Sequence, residues 1–398
     1  MFILIWKRPV FLSTVSLVAV RFLGVGARYF GLLTLASIVP AAQFASYALA
    51  FIVAEFARCL ADGGVDTVYL RRAEALEPDE RVRVARRAML LKLMHGLMTA
   101  VGVIIILNSL HGVNLLMLFI GLQFFPQSLL QLTLNVRQVD NKAHEIVGII
   151  GAVYVTAMAM AVLSHFGFPT GKWCLPYIAV AELICAAIFF RVRLIFRIND
   201  LRVAYKVFFP QALPVLGLAL LAYANTRTDA LLVSKLMSPD VAGKYMYLAR
   251  WVDFVPMLIG GVALPLVGKI PSIRAKGYWY FGALFAVATA WIPFAIAQLV
   301  VWFNPAYAPA DGLQWILATI AGVRAMLTVT TVLLLSVWRD GWLFRIAICT
   351  SITIPLVGWQ LGSAFGAVGV AGTVLAVEAS NLLCQIWLLL RLRDARQN

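Results

Sequence analysis

The stretch LPVLGLALLAYANTRTDALLVSKLMSPDVAGKYMYLARWVDF, Leu213–Phe254, decides the class of the chain. It reads as two hydrophobic helices joined by a short turn at Met237-Ser238-Pro239-Asp240. Arg227, Asp229, Arg250 and Asp253 nevertheless stand inside the apolar text. A charge at the centre of a membrane helix costs roughly 2.5–3.5 kcal/mol on insertion scales, so such residues face a cavity or a partner. The rest of the sequence is read as the container for charges of this kind.

The wider composition agrees. The chain has 398 residues, 62% of them hydrophobic and 13% charged, with a mean hydropathy of +0.90. The surface of a soluble domain needs far more charge. The class is therefore an all-α polytopic membrane protein. Lys7-Arg8 precede an apolar run of about 25 residues, too long for the core of a signal peptide, so no cleavable leader is expected. The net charge of +15 fits cytoplasmic loops facing an anionic leaflet, and no nucleic-acid partner is expected. Cys59, Cys185, Cys349 and Cys384 lie in apolar segments and Cys174 near a loop, with neither metal nor disulfide spacing.

Apolar runs near 20 residues, separated by polar or Pro/Gly breaks, count as spans. Twelve are expected, at about 10–34, 43–63, 88–107, 113–134, 146–165, 174–190, 210–234, 242–265, 279–303, 312–337, 342–362 and 366–390. With the N-terminus in the cytoplasm, the inner segments carry 23 Lys and Arg residues, from Lys7 and Arg8 to Arg391, Arg393 and Arg396. The outer side carries Lys172, Lys235 and Lys244. That asymmetry predicts both termini inside and an even number of spans. The longest loop, about 64–87, contains EALEPDERVRVARR, which reads either as a solvated positive-inside linker or as an amphipathic cytoplasmic helix with Pro78 in its first turn.

A shift of 198 residues superposes Tyr47 on Tyr245, Glu55 on Asp253, Phe56 on Phe254, Leu60 on Leu258 and Gly63 on Gly261. The second span thus resembles the eighth. The expected domains are an N-terminal six-helix bundle, 1–200, and a C-terminal one, 201–398. Parallel repeats of this sort place a substrate site at the interface between halves.

Subtracting loop charges leaves Arg21, Arg28, Arg58, Lys92, Arg227, Arg250 and Arg324 as the basic residues of the spans. Arg21 and Arg28 lie seven apart, on one face of a helix that holds no acid, so they call for a hydrated cavity or an anionic ligand. Glu55, Arg58 and Asp62 share a face of the second span, and Arg250 can pair with Asp253 one turn on. Arg227 and Asp229 point to different faces. Arg324 has Thr328 and Thr331 on its face, and Glu378 has Asn381 and Gln385. Lys92 and His95 are assigned to snorkelling and packing near the inner end of the third span. Gln123, Gln127, Gln131 and Asn135 form a polar stripe, by default interhelical glue and otherwise a glycan-contacting wall. Arg stays charged when buried and grips phosphate bidentately, so an Arg-rich cavity suits a phosphate or diphosphate rather than a cationic drug. No Gly-rich nucleotide loop, metal cluster or nucleophile motif is present, so no cofactor, no metal and no enzyme activity are expected.

Two stretches bring the pattern to a family. RFLGVGARYFGLLTLASIVPAAQFASYALAFIVAEFARCLADGGVDTVYLRR, Arg21–Arg72, resembles the opening of polysaccharide-biosynthesis flippases. So does TDALLVSKLMSPDVAGKYMYLARWVDFVPMLIGGVALPLV, Thr228–Val267, with its "VAGKY" turn. These are Wzx-type O-antigen flippases of the MOP exporter superfamily, which also contains the MATE drug exporters and the lipid II flippases. The resemblance implies two MATE-like bundles in a bacterial inner membrane. It implies transfer of an undecaprenyl-diphosphate-linked oligosaccharide from the cytoplasmic to the periplasmic leaflet by alternating access. On position and helix it casts Arg21, Arg28, Arg58 and Arg250 as ligands of the diphosphate. The wider substrate-binding set adds Arg227 and Arg324, and Gln123, Gln127 and Gln131 are the glycan-contact candidates. Glu55, Asp62, Asp229, Asp253 and Glu378 are the candidates to couple an ion. Expected partners are the lipid-linked oligosaccharide, membrane lipids and other glycan-assembly membrane proteins. The rival within the fold is a cation-coupled small-molecule exporter. A glycosyltransferase or polymerase would need a larger outer loop, and a scaffold would have no use for buried arginines.

Overall fold

The computed structural model describes residues 8–73, 76–110, 114–140, 142–190, 198–263, 295, 304–307, 312–336 and 340–394. The helices in chain order are α1 (Arg8–Ile38), α2 (Ala41–Asp62), α3 (Val65–Ala73), α4 (Pro78–Leu110), α5 (Leu115–Leu122), α6 (Phe124–Val139), α7 (His144–His165), α8 (Cys174–Phe189), α9 (Ile198–Leu236), α10 (Pro239–Ala263), α11 (Leu313–Ser336) and α12 (Asp340–Asp394). Among the described residues, nine helical stretches are long and apolar enough to cross a membrane. One of them, Gly341–Arg391, is 51 residues long, enough for two crossings of a hydrocarbon core about 30 Å thick. It breaks at Gly366, whose φ of 64° and ψ of −149° are not helical. The chain is a polytopic all-α membrane protein. The expected ninth span, 279–303, lies outside the described residues.

Several elements differ from expectation for physical reasons. The EPDERVRVARR segment is not a separate surface helix. α4 starts at Pro78 and runs without interruption into the third span as one helix of 33 residues. Proline at the first turn has no orphan N–H to waste, and Asp79 and Glu80 complement the positive helix end. The fourth span is two helices, α5 and α6, meeting at Gln123, with Asn114 capping α5 by accepting from the Met117 N–H at 2.8 Å. Between α2 and α3 the chain turns through Gly63 (φ 54°) and Gly64 (φ 75°). A Cβ on Gly64 would lie 2.6 Å from the Ala212 carbonyl oxygen, so the turn admits only glycine there.

The chain divides into two compact units, Met1–Ile38 with Leu49–Leu220, and Val39–Ala48 with Leu221–Asn398. In the first, α1 packs along α7 and α8, and α6 packs against α4 and α8. Its core is small and aliphatic on the facing sides: Ala27, Leu32, Ala157, Ala161 and Ile178 are all buried. In the second, α11 packs against both α10 and α12. An aromatic group of Phe44, Tyr247 and Tyr307 closes one end of that unit, with ring centroids 4.6–6.3 Å apart. Tyr307 donates to the Val39 carbonyl at 3.2 Å; burial first, then Tyr247 and Asp240, pushes its phenol up to about 12, so it remains a donor. Outward-facing apolar side chains such as Leu97, Met98, Val101 and Ile105 on α4 suit a lipid surround.

Candidate functional site

The N-terminal unit encloses a cavity of about 400 Å³. α1 supplies Arg21 and Arg28, α2 supplies Arg58 and Asp62, α3 Asp66, α4 Lys92, α6 Gln127 and Gln131, α7 Tyr154 and α8 Glu182. Arg21, Arg28, Tyr154 and Glu182 stand on largely apolar stretches of α1, α7 and α8, so helix periodicity aims them at the cavity while their neighbours meet lipid or core.

Arg21 is the least compensated of these cations. Its Nη2 donates to Asn135 Oδ1 at 2.6 Å. With the Gln131 amide turned oxygen inward, that oxygen accepts from Arg21 Nε at 3.2 Å and Nη2 at 3.0 Å. Both partners are neutral, and among the described residues no carboxylate lies in ion-pair range of Arg21. Seven residues on, Arg28 is held quite differently. It ion-pairs with Glu182 and donates to the Gly24 carbonyl at 2.9 Å. Tyr154 donates to the same Glu182 oxygen at 2.6 Å. Arg28 therefore does have an acid to answer it, on another helix.

Lys92 overturns the snorkelling assignment. Its side chain is fully buried (0% exposed) and its Nζ lies 2.8 Å from both Asp62 Oδ1 and Asp66 Oδ2. It also donates to the Ser128 carbonyl at 2.9 Å. His95, one turn along α4, lies with its Nε2 3.4 Å from the Tyr205 hydroxyl. Glu55 is half-buried on α2 and does not line the cavity. Of the glutamine stripe, Gln127 and Gln131 line the cavity, whereas Gln123 is buried at the α5–α6 junction away from it.

The C-terminal unit gathers the other candidates into a network of opposite charges. Asp253 takes an ion pair from Arg227, a second from Arg324 Nη1 at 2.8 Å, and a longer one from Arg250 at 3.7 Å. Arg324 Nε donates to both oxygens of Glu378, at 2.8 and 3.1 Å. Asp229 accepts from the Tyr245 hydroxyl at 2.9 Å and from the Ala230 N–H at 2.7 Å. Arg250 Nη2 also reaches the Ala48 carbonyl at 3.4 Å. Below Glu378, the Thr330 hydroxyl donates to Gln385 Oε1 at 2.6 Å, and Gln385 donates to Asn381 at 3.0 Å. All of Arg227, Asp229, Arg250, Asp253, Arg324 and Glu378 are buried. A buried ion is tolerated only when it is paired or hydrogen-bonded; here three guanidiniums answer Asp253 and Glu378, and the Tyr245 hydroxyl and a backbone N–H answer Asp229.

The structure thus splits the sequence-predicted residues into a cavity set and an interlocked set. It also adds three that the sequence reading passed over. Glu182 is the one charged residue in CLPYIAVAELICAAIF, a signal present in the sequence. Asp66 was placed in a loop, although it follows Asp62 by four residues across the Gly-Gly break. Tyr154 carries no signal beyond being the one tyrosine of an apolar helix. Among the described residues no group of three or more His, Cys, Asp or Glu side chains is placed to hold a metal ion.

Solved structures of MOP-superfamily transporters share this fold over nearly the whole length of the chain. An inward-facing MATE-family multidrug resistance transporter aligns with a TM-score of 0.68 at 12% identity, over 94% of this chain and 95% of that one. The lipid II flippase MurJ, in an inward closed conformation, aligns with a TM-score of 0.69 at 14% identity, over 95% and 87%. A MOP-superfamily transporter from Pyrococcus furiosus, described as having a binding pocket of reversed polarity, gives 0.54 at 12%, over 96% and 95%. At these identities the likeness establishes the fold. The family comes from the sequence: residues 34–267, more than half of the chain, match the model of the family described as "Polysaccharide biosynthesis protein", and the chain belongs to it. No curated protein matches the chain by sequence. The resemblance carried by Arg21–Arg72 and Thr228–Val267 is borne out at the level of family and fold.

Proposed function

We propose that the chain is a flippase for a lipid-linked oligosaccharide, carrying an undecaprenyl-diphosphate-linked glycan from the cytoplasmic to the periplasmic leaflet of a bacterial inner membrane. It works by alternating access of two six-helix bundles, with both termini in the cytoplasm. One observation carries the reading: Arg21 stands at a cavity wall and, among the described residues, hydrogen-bonds only the neutral amides of Gln131 and Asn135. Those amides hold the guanidinium in place, and Asp66, the acid whose charge reaches it, is already bound by Lys92. An arriving diphosphate offers oxygens in the fork geometry that guanidinium prefers. Arg58 and Gln127 share the lining, and we assign Gln127 to the first sugar.

Arg28 is a weaker ligand in this reading, because Glu182 already cancels it. Arg227, Arg250 and Arg324 are engaged by Asp253 and Glu378, and we assign them to holding the C-terminal unit together rather than to the diphosphate. Membership of a polysaccharide biosynthesis family supports the glycan, and the fold supports transport.

The second reading, a cation-coupled exporter of small molecules, is favoured by Asp62, Asp66 and Glu182 in the same cavity. Each of these acids, however, already faces a cation of the chain itself.

The test is Arg21→Ala beside Arg21→Lys in cells whose surface glycan depends on this protein, with membrane abundance measured in parallel. Hydrogen bonds to charged groups contribute about 1.5–3 kcal/mol each, so Arg21→Ala is expected to lower glycan export by roughly 10- to 100-fold. Arg21→Lys keeps the charge, loses the fork and falls between. Normal glycan with Arg21→Ala at normal abundance would refute the assignment. Altered drug susceptibility with intact glycan would favour the exporter.

A further inference from the structure

The cavity wall carries a cation that the chain supplies itself. Lys92 Nζ sits among Asp62 Oδ1 at 2.8 Å, Asp66 Oδ2 at 2.8 Å and the Ser128 carbonyl oxygen at 2.9 Å. These oxygens come from the end of α2, the start of α3 and the middle of α6, while the ammonium arrives from α4. The positive φ values at Gly63 and Gly64 are what bring Asp62 and Asp66 onto one ammonium, because the break lets the chain restart as α3 directly after α2. A simple ion pair would need one carboxylate. Here two acids and a carbonyl surround one compact monovalent ion, which is how proteins bind hard dissociable cations with oxygen ligands. All four residues also line the 400 Å³ cavity, so the position has a path of access.

We propose that Asp62, Asp66 and the Ser128 carbonyl form a monovalent-cation site that the Lys92 ammonium permanently fills. The charge of the cavity wall is then covalently tethered and does not depend on Na+ or K+. A chain without the ammonium has two carboxylates facing a vacated space of ammonium size, and takes up a small cation there. Arg58, one helical turn before Asp62, and Arg21, held by Gln131 and Asn135, border the same cavity. This inference concerns binding and stands apart from the transport reading.

The experiment uses the full chain in detergent micelles, native and Lys92→Ala, and follows Tm as methylammonium, KCl or NaCl replaces choline chloride at constant ionic strength. Choline is too large for the vacated space. A ligand that binds only the folded state raises stability with the logarithm of its concentration above Kd, so the expected response is saturable binding seen as a log-linear rise. The native protein should show no difference between the salts. Lys92→Ala should melt lower in choline and recover at least half of the lost Tm in methylammonium or K+. Lys92→Ala/Asp62→Asn/Asp66→Asn should fold and show no cation response. The proposal is overturned by a Lys92→Ala chain that responds to no cation, or by recovery on lowering pH alone, where protons replace the ammonium. It is equally overturned by an undiminished response in the triple variant. A Lys92→Ala chain that unfolds in every salt, beside a folded triple variant, also overturns it.

Discussion

At the scale of single residues, the buried charges of the C-terminal unit converge on Asp253. Helical spacing pairs Arg250 with Asp253, yet at 3.7 Å that is the longest of the ion pairs made by Asp253. Its nearer partners are Arg227 on α9 and Arg324 on α11. Arg28 looked acid-free because its acid is 154 positions away on α8. Local periodicity fixes a side chain's face; only the fold chooses the facing helix. The Arg28–Glu182 pair gives a direct test. Glu182 is 1% exposed, and its loss leaves a buried guanidinium without its counter-ion. Glu182→Ala should destabilise the protein by about 3–5 kcal/mol, the range for breaking one side of a buried pair. Arg28→Met/Glu182→Leu, which removes both charges, should recover most of that loss. Thermal unfolding of both variants beside the native chain checks this. A double variant no more stable than Glu182→Ala would mean that packing around Tyr154, rather than charge, sets the effect.

At the scale of elements, long apolar helices were legible and their junctions were not. Pro78 was correctly read as a first-turn residue, but nothing local signals that α4 continues through Lys92 to Leu110 as one rod. Its arginines then act as ties: Arg86 and Arg87 reach Asp200 at the start of α9, at 3.0 and 3.5 Å. Gly63-Gly64 could be seen in the sequence as a break, though not as the device that aims Asp62 and Asp66 together. The same break can be disabled. At Gly64 a methyl group meets the Ala212 carbonyl oxygen at 2.6 Å, and the φ of +75° is one that side-chain-bearing residues avoid. Gly64→Ala should destabilise by about 1–3 kcal/mol, the usual range for a residue held in a sparsely populated backbone region. Gly26→Ala is the control, since a Cβ there meets nothing within 4 Å and the residue sits within α1. Alanine in a helix interior is favoured over glycine by about 0.8–1.0 kcal/mol, so the control should melt no lower than the native chain. If both variants melt alike, the turn is not the constraint described.

At the scale of the whole molecule, the legible quantity was charge asymmetry. The segments expected to face inward carry 23 basic residues and those expected to face outward three, a bias of the kind that sets orientation during insertion. The described residues add an independent sign of where the interfaces lie. Lys172 stands 5.8 Å from the Trp173 ring centroid. Arg345 and Arg391 stand 5.4 and 4.3 Å from the rings of Trp342 and Trp387. Trp173, Trp342 and Trp387 are 51%, 44% and 49% exposed. Tryptophan with an adjacent cation suits the headgroup region, where the ring is half in lipid and the charge in water. The prediction is that both termini are cytoplasmic. A fluorescent-protein fusion after residue 398 should glow and an alkaline phosphatase fusion there should be inactive, because the first folds in the cytoplasm and the second needs an oxidising compartment. An alkaline phosphatase fusion at Lys172 should be active. An active phosphatase at the C-terminus would mean an odd number of crossings, and the parallel relation of the halves would fail with it. In that event the offset that superposes Tyr47 on Tyr245 would be a coincidence of apolar helices, and Arg21 and Arg250 could not occupy equivalent depths in two like bundles.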